Sequence, residues 1–172
     1  MAEYENTNYV SYLIELAQSG RRNSFLDLCD INLRNIYSFI FRIVPDENTA
    51  KQISSEIFLS VWDNLRAINL EEPFFLWLKN RAVKFIIEYA SKNPAIKTVK
   101  PNSTFFLDTN DKLDLLLLEL PFEERLILIL KDFEDYSYEE IAAFFASEEL
   151  DYYTIKKIVH KCRETLMQGL ES

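Results

Sequence analysis

The chain has 172 residues, of which 48% are apolar and 14% aromatic, with two Gly, two Cys, one His and a formal net charge of −9. A chain of this length forms one domain or two small ones, each with a modest core. The scarcity of glycine disfavours loops that cradle phosphates, and neither GxGxxG nor GxxxxGK[ST] occurs. Cys29 and Cys162 are isolated, which argues against a zinc cluster or a disulfide framework. We therefore expect no metal and no other cofactor.

Catalysis and membrane association find little support in the sequence. There is one His, and no Ser or Cys stands in a recognisable nucleophile setting. The longest apolar runs, such as residues 126–130, are far too short to span a bilayer, and the N-terminus MAEYENTNY is polar and acidic rather than signal-like. These features predict a cytoplasmic protein that is not an enzyme, binds no small-molecule substrate and does not associate with membranes.

The negative charge is unevenly distributed. Residues 1–100 hold twelve basic and twelve acidic side chains, whereas residues 101–172 hold seven basic against sixteen acidic, a net of −9. Two stretches, residues 79–100 and 154–167, instead carry a positive net charge. The charge needed to bind nucleic-acid phosphates is therefore present locally.

Helical periodicity covers most of the chain. Gly20 is a natural stop for the first helix, Pro45 ends the second, and Ser137 with Glu140 forms a capping box for the seventh. Proline and clustered Asn, Ser and Thr over residues 93–110 indicate a linker. The prediction is an all-α protein of two small helical domains, residues 1–92 and 111–172, joined by a flexible linker over 93–110. The expected helices span approximately 8–19, 24–44, 46–68, 73–92, 111–119, 122–133, 138–146 and 152–168.

The last two predicted helices have the properties of a helix-turn-helix. Ile155, Val159, Cys162 and Leu166 form an apolar stripe at about 100° per residue, while the opposite face is basic. In a helix-turn-helix the second helix enters the major groove and its back packs on the domain. A surface helix with merely solvated lysines has the same pattern, so this alternative stays open. The candidate DNA-binding residues here are Tyr153, Thr154, Lys156, Lys157, His160 and Lys161.

Two further surfaces are candidates in the N-terminal half. The fourth helix carries a narrow polar stripe with Trp77 beside basic residues, where a Trp can stack an unpaired base and cations can follow the backbone, unless Trp77 is simply half-buried core. Its candidate DNA-binding residues are Trp77, Asn80, Arg81 and Lys84. On the third helix, Leu59 is an apolar residue on a polar face and suggests a partner-binding patch. That face consists of Gln52, Ser55, Glu56, Leu59 and Asp63.

In this order, these segments resemble the small bacterial sigma factors of the extracytoplasmic-function (ECF) group of the sigma-70 family. AKQISSEIFLSVW (residues 50–62) is similar to the helix that binds the clamp of RNA polymerase, and PFFLWLKNRAVKFIIEYASK (73–92) to the promoter-melting helix. LPFEERLILILKDFEDYSYEEIA (120–142) followed by TIKKIVHKCRETL (154–166) resembles the domain that reads the minus-thirty-five element.

The resemblance implies a transcription initiation factor that binds core RNA polymerase and directs it to promoter DNA. Its N-terminal domain would hold polymerase and capture bases of the minus-ten element, and an anti-sigma protein is a candidate partner. One alternative is a sigma-like adaptor or decoy that binds polymerase or a regulator without reading DNA, which the acidic C-terminal part motivates. Another is a helical regulator that binds duplex DNA as a dimer without polymerase.

Overall fold

The structure is a computed structural model that describes residues 2–68, 73–98, 112–146 and 150–171, and side chains from Asn8 onward. These residues form eight α-helices and two short 3-10 helices, and no strand occurs among them. The predicted all-α fold is confirmed. It follows from the recurrence of apolar residues every three to four positions, which gives each helix one face to bury.

Contacts divide the chain into two compact units. The first comprises Met1–Ile40 and Asn48–Tyr89, and the second comprises Phe41–Glu47 and Ala90–Ser172. Residues 41–47 thus group with the C-terminal residues, although the sequence pattern assigns them to the N-terminal domain. The physical reason is a buried arginine, described below, that binds the backbone of this segment.

The first unit contains α1 (Ala2–Gln18), most of α2 (Arg22–Ile43) and α3 (Glu47–Asp63), a 3-10 turn at Leu65–Ala67, and most of α4 (Phe74–Lys92). Gly20, at φ +94°, ends α1 in the left-handed conformation, and its N–H and that of Arg21 bond to carbonyls of the last turn. Each helix contributes fully or almost fully buried side chains to one core. They include Leu13, Ile14, Leu28, Ile36, Ile40, Ile53, Ile57, Val61, Leu78, Val83 and Ile86.

The predicted linker begins with ordered structure. Residues Pro94–Thr98 form a 3-10 helix that contacts α6 (Phe122–Asp132) of the second unit. Ile96 is buried, and Lys97 is paired with Glu123. The start of the segment is therefore packed rather than extended, because Ile96 has apolar surface to bury. The remainder of the predicted linker, residues 99–110, lies outside the described residues.

The second unit contains α5 (Lys112–Glu119), α6 (Phe122–Asp132), α7 (Tyr138–Phe144) and α8 (Tyr152–Glu171). Helix α6 is buried over most of its length, with six consecutive buried residues from Arg125 to Leu130, and it contacts both α7 and α8. The predicted capping box at the start of α7 is confirmed: the Ser137 hydroxyl accepts from the Glu140 N–H, and the Glu140 carboxylate accepts from the Ser137 N–H. These bonds hold the pKa of Glu140 below its usual value.

Arg125 is the largest fully buried side chain of this unit, with only 2% of its surface exposed. Its Nε and Nη2 donate to the carbonyl of Ile43 at 3.1 and 2.8 Å, and Nη1 donates to the carbonyl of Leu118 at 2.9 Å. Both acceptors belong to the last turn of a helix, α2 and α5 respectively, where carbonyls lack an intrahelical donor. Arg125 therefore caps two helix C-termini at once. Burial lowers its pKa to about 10.

Candidate nucleic-acid interface

Helix α8 turns an apolar face inward and a polar face outward. Ile155, Val159, Cys162 and Leu166 are buried, as their spacing predicts, and α8 contacts α5, α6 and α7. From α7, Ile141 is buried, and Phe145, just beyond its end, is buried as well. Two helices joined by a turn, the second anchored by its back, have the arrangement of a helix-turn-helix. Residues 147–149, between the two helices, lie outside the described residues.

The candidate residues on α8 share the outer face. Tyr153 is 71% exposed, four further candidates are exposed, and Thr154 is half-buried. The Thr154 N–H donates to Asp151 Oδ1 at 2.8 Å, which makes Asp151 a cap of α8 and holds the pKa of its carboxyl below the usual value. The four exposed candidates are Lys156, Lys157, His160 and Lys161.

The cations of this face differ in how they are compensated. Lys161 Nζ lies 2.8 Å from Glu124 Oε1 on α6, and His160 Nε2 lies 3.4 Å from Glu164 Oε1. None of the salt bridges found among the described residues involves Lys156 or Lys157. A phosphate ligand would thus meet two lysines, Lys156 and Lys157, that form no salt bridge with another described residue, and one lysine, Lys161, that does.

An aromatic cluster at the start of α8 was not predicted from the sequence. The ring of Tyr152 meets those of Tyr138 and Tyr153 edge to face, with centroids 5.5 and 5.3 Å apart. Lys131 Nζ lies 5.0 Å from the centre of the Tyr138 ring and donates to the carbonyl of Tyr136. The cluster packs the beginnings of α7 and α8 together, and the repeated tyrosines in the sequence were its only signal.

On α4, the structure links Trp77 and Arg81 to their surroundings. Trp77 is half-buried and stacks on Phe74. The Arg81 guanidinium lies 5.6 Å from the centre of the Trp77 ring. The Arg81 Nε also donates to Ser60 Oγ at 2.8 Å. Arg81 therefore connects α4 to α3. The other two candidates differ in exposure, because Lys84 is exposed and Asn80 is half-buried.

The candidate face of α3 is open to solvent. Gln52, Ser55 and Asp63 are exposed and Glu56 is half-buried, and Gln52 donates to Glu56 at 3.0 Å. Leu59 is 64% exposed, the highest value for a large aliphatic side chain among the described residues.

Trp62, which the sequence analysis did not select, extends this face. It is 40% exposed and packs on Phe25 at 4.8 Å between ring centres. It also lines an open pocket of about 440 Å³ together with Gln18, Gly20 and Arg66. An apolar side chain on a helix with apolar spacing is normally interpreted as core, which is why the exposure of Trp62 could not be predicted from the sequence.

A helical unit that ends in an exposed basic helix is typical of a DNA-binding protein, and the comparisons give its class. The family model described as sigma-70, region 4, matches residues 110–146, which reach from the start of α5 to just beyond α7. None of the helices in the described parts of the chain is both long and apolar enough to cross a membrane.

Curated relatives resemble almost the whole chain. The ECF RNA polymerase sigma factor SigW of Bacillus subtilis (strain 168) is 21% identical over 179 residues, covering 91% of this chain and 94% of SigW. The RNA polymerase sigma-H factor of Pseudomonas aeruginosa is 22% identical and covers 92% of both chains. RNA polymerase sigma factor YlaC of B. subtilis is 27% identical over 136 residues, covering 70% of this chain and 79% of YlaC.

Two solved structures share the fold. RpoE of Bartonella quintana, solved in complex with the anti-sigma factor NepR, matches with a TM-score of 0.62 at 18% identity, over 86% of this chain and 96% of RpoE. CnrH, in complex with the cytosolic domain of CnrY, matches with a TM-score of 0.60 at 16% identity, over 95% and 97% of the two chains. The chain is thus similar over almost its whole length to RNA polymerase sigma factors, among them an ECF sigma factor, and residues 110–146 match region 4 of the sigma-70 family. The resemblance drawn from the sequence is confirmed.

Proposed function

We propose that this protein is a transcription initiation factor that binds core RNA polymerase and directs it to promoter DNA. The observation that carries the proposal is the exposed basic face of α8, anchored by a buried apolar back directly after the region that matches the sigma-70 family. A helix of this kind can enter the major groove and donate to base edges and phosphates. The protein would act as a regulator without catalytic activity, in the cytoplasm where polymerase works.

Each of the three surfaces has its own proposed role. The outer face of α8 would read the minus-thirty-five element, with Lys156 and Lys157 as exposed cations that form no salt bridge with another described residue. The α4 surface around Trp77 would hold unpaired bases of the minus-ten element, since an indole stacks on any base. The α3 face around Leu59 would bind polymerase, because an exposed apolar side chain supplies area that a partner can bury.

A protein inhibitor is a further proposed partner. RpoE and CnrH, the solved proteins that share this fold, were each seen with a protein bound, and NepR is named as an anti-sigma factor. We propose that an anti-sigma protein also regulates this chain.

Co-purification of the full chain with core RNA polymerase, followed by mapping of bound promoters, tests the proposal. Wild-type protein should bind polymerase and support transcription from specific promoters. Leu59→Glu should abolish co-purification, whereas the matched control Leu33→Glu, also exposed and in the same unit, should retain it. Absence of polymerase binding by the folded wild-type protein would refute the proposal.

The same experiment distinguishes an initiation factor from a decoy. The decoy alternative is favoured by the net charge of −9 over residues 101–172. A decoy would bind polymerase without any salt-sensitive, sequence-dependent promoter contact. An initiation factor would show both. A protein that recognises specific duplex sites but does not bind polymerase would instead be a separate helical regulator.

A further inference from the structure

Lys161, on the candidate DNA-binding face of α8, forms an ion pair with Glu124 in the first turn of α6. Lys161 Nζ donates to Glu124 Oε1 at 2.8 Å, between residues 37 positions apart in the chain. The lysine side chain is 67% exposed, whereas the glutamate is only 21% exposed. The glutamate carboxylate is thus the more buried partner and the lysine ammonium the more exposed one.

Several contacts surround the Glu124 carboxylate. It lies in the first turn of α6, where the helix dipole favours a negative charge. Its second oxygen, Oε2, lies 3.7 Å from Cys162 Sγ, which is buried under α8. The pairing also raises the pKa of Lys161, chiefly through the hydrogen bond to Glu124.

A lysine adds to DNA affinity by releasing a counterion from a phosphate when it neutralises that phosphate. Lys161 could do so only by leaving Glu124, and the abandoned carboxylate would then repel the DNA backbone. Lys157 forms no salt bridge with another described residue, although it interacts with the charge of Asp151, so it can reach a phosphate without breaking an ion pair. The two lysines therefore differ in what they can contribute, although their position on α8 is similar.

We propose that Glu124 is an affinity-limiting residue: it occupies Lys161 as an internal substitute for a phosphate and so keeps binding of α8 to DNA weak. The inference rests on the proposed DNA-binding function and deepens it. Weak binding by the isolated protein suits a factor that reads promoters only together with polymerase, which supplies the remaining contacts.

The test is a double-mutant cycle on the full chain, with fluorescence anisotropy of a labelled 30-base-pair duplex of arbitrary sequence over a series of KCl concentrations. Glu124→Gln should tighten binding roughly two- to fivefold, the range that corresponds to an exposed ion pair. It should also steepen the slope of log K against log salt by about 0.9, the value for one added phosphate contact. Lys161→Ala alone should change little, and in its presence Glu124→Gln should have no further effect.

Two controls separate the possible explanations. Glu119→Gln removes the same charge from an exposed position at the end of α5, and it should leave the slope unchanged. Lys157→Ala should reduce the slope by about 0.9. Circular dichroism checks that each variant is folded.

The inference is overturned if Glu124→Gln tightens binding equally with and without Lys161, or no more than Glu119→Gln does. It is also overturned if Lys161→Ala weakens binding as much as Lys157→Ala, since Lys161 would then already contact DNA. If no variant binds duplex DNA even at low salt, the inference is refuted, and promoter-dependent transcription with core RNA polymerase then decides the proposed function by itself. An effect of Lys157→Ala without one of Glu124→Gln refutes the inference alone.

Discussion

Replacement of Arg125 by Met tests whether the buried guanidinium is a structural cap for two helices. Met fills a similar volume but cannot donate, so the carbonyls of Ile43 and Leu118 would each lose a donor. A buried carbonyl left without a partner costs about 1–3 kcal/mol, and removal of the charge returns part of its desolvation cost. We expect Arg125→Met to lower the free energy of unfolding by about 2–4 kcal/mol, and Arg125→Ala by about 3–5 kcal/mol because a cavity is added.

Arg163→Met is the matched control for this prediction. Arg163 bonds to Asp132 through Nε at 2.9 Å but is 48% exposed, so its loss should cost no more than about 1 kcal/mol. Urea unfolding followed by far-UV circular dichroism gives both values. Both tryptophans, Trp62 and Trp77, lie in the first unit, so their fluorescence reports on that unit separately. If Arg125→Met were no more destabilising than Arg163→Met, the capping role would be wrong.

Three further outcomes are expected. Lys157→Glu should weaken promoter binding by about 1–3 kcal/mol in a mobility-shift titration, and unchanged affinity would remove this residue from the site. Ser137→Ala should cost about 1 kcal/mol near neutral pH through loss of the cap. The pKa of Glu140 is lower in the folded state than in the unfolded state. Its contribution to the free energy of unfolding is therefore present above the unfolded-state pKa and is lost as the pH falls through the folded-state pKa. The difference in stability between wild type and Glu140→Gln should accordingly disappear in urea titrations at acid pH. Gly169→Val should destabilise by about 1–3 kcal/mol, since a Cβ there would lie 2.6 Å from Leu116 Cδ2, and Leu116→Ala should partly restore stability in thermal melts.

Much of the helix-turn-helix could be predicted from local sequence, because its determinants act over one or two helical turns. The spacing of Ile155, Val159 and Cys162 identified the buried back of α8, and the pairing of Ser137 with Glu140 identified the start of α7. The exposure of the opposite face follows from the same periodicity. Which of its residues bind DNA stays a prediction.

The amino-acid sequence by itself determined the helical class, the approximate helix boundaries and the resemblance to sigma factors, since periodicity, caps and proline positions are local signals. Tertiary structure alone decided three features: that Arg125 binds the carbonyl of Ile43, 82 positions away, that Glu124 occupies Lys161, and that Trp62 is partly exposed. Contacts between distant residues depend on how helices pack, and local patterns do not report this. A charged side chain therefore looks the same in the sequence whether it is available to a ligand or already held by a neighbour.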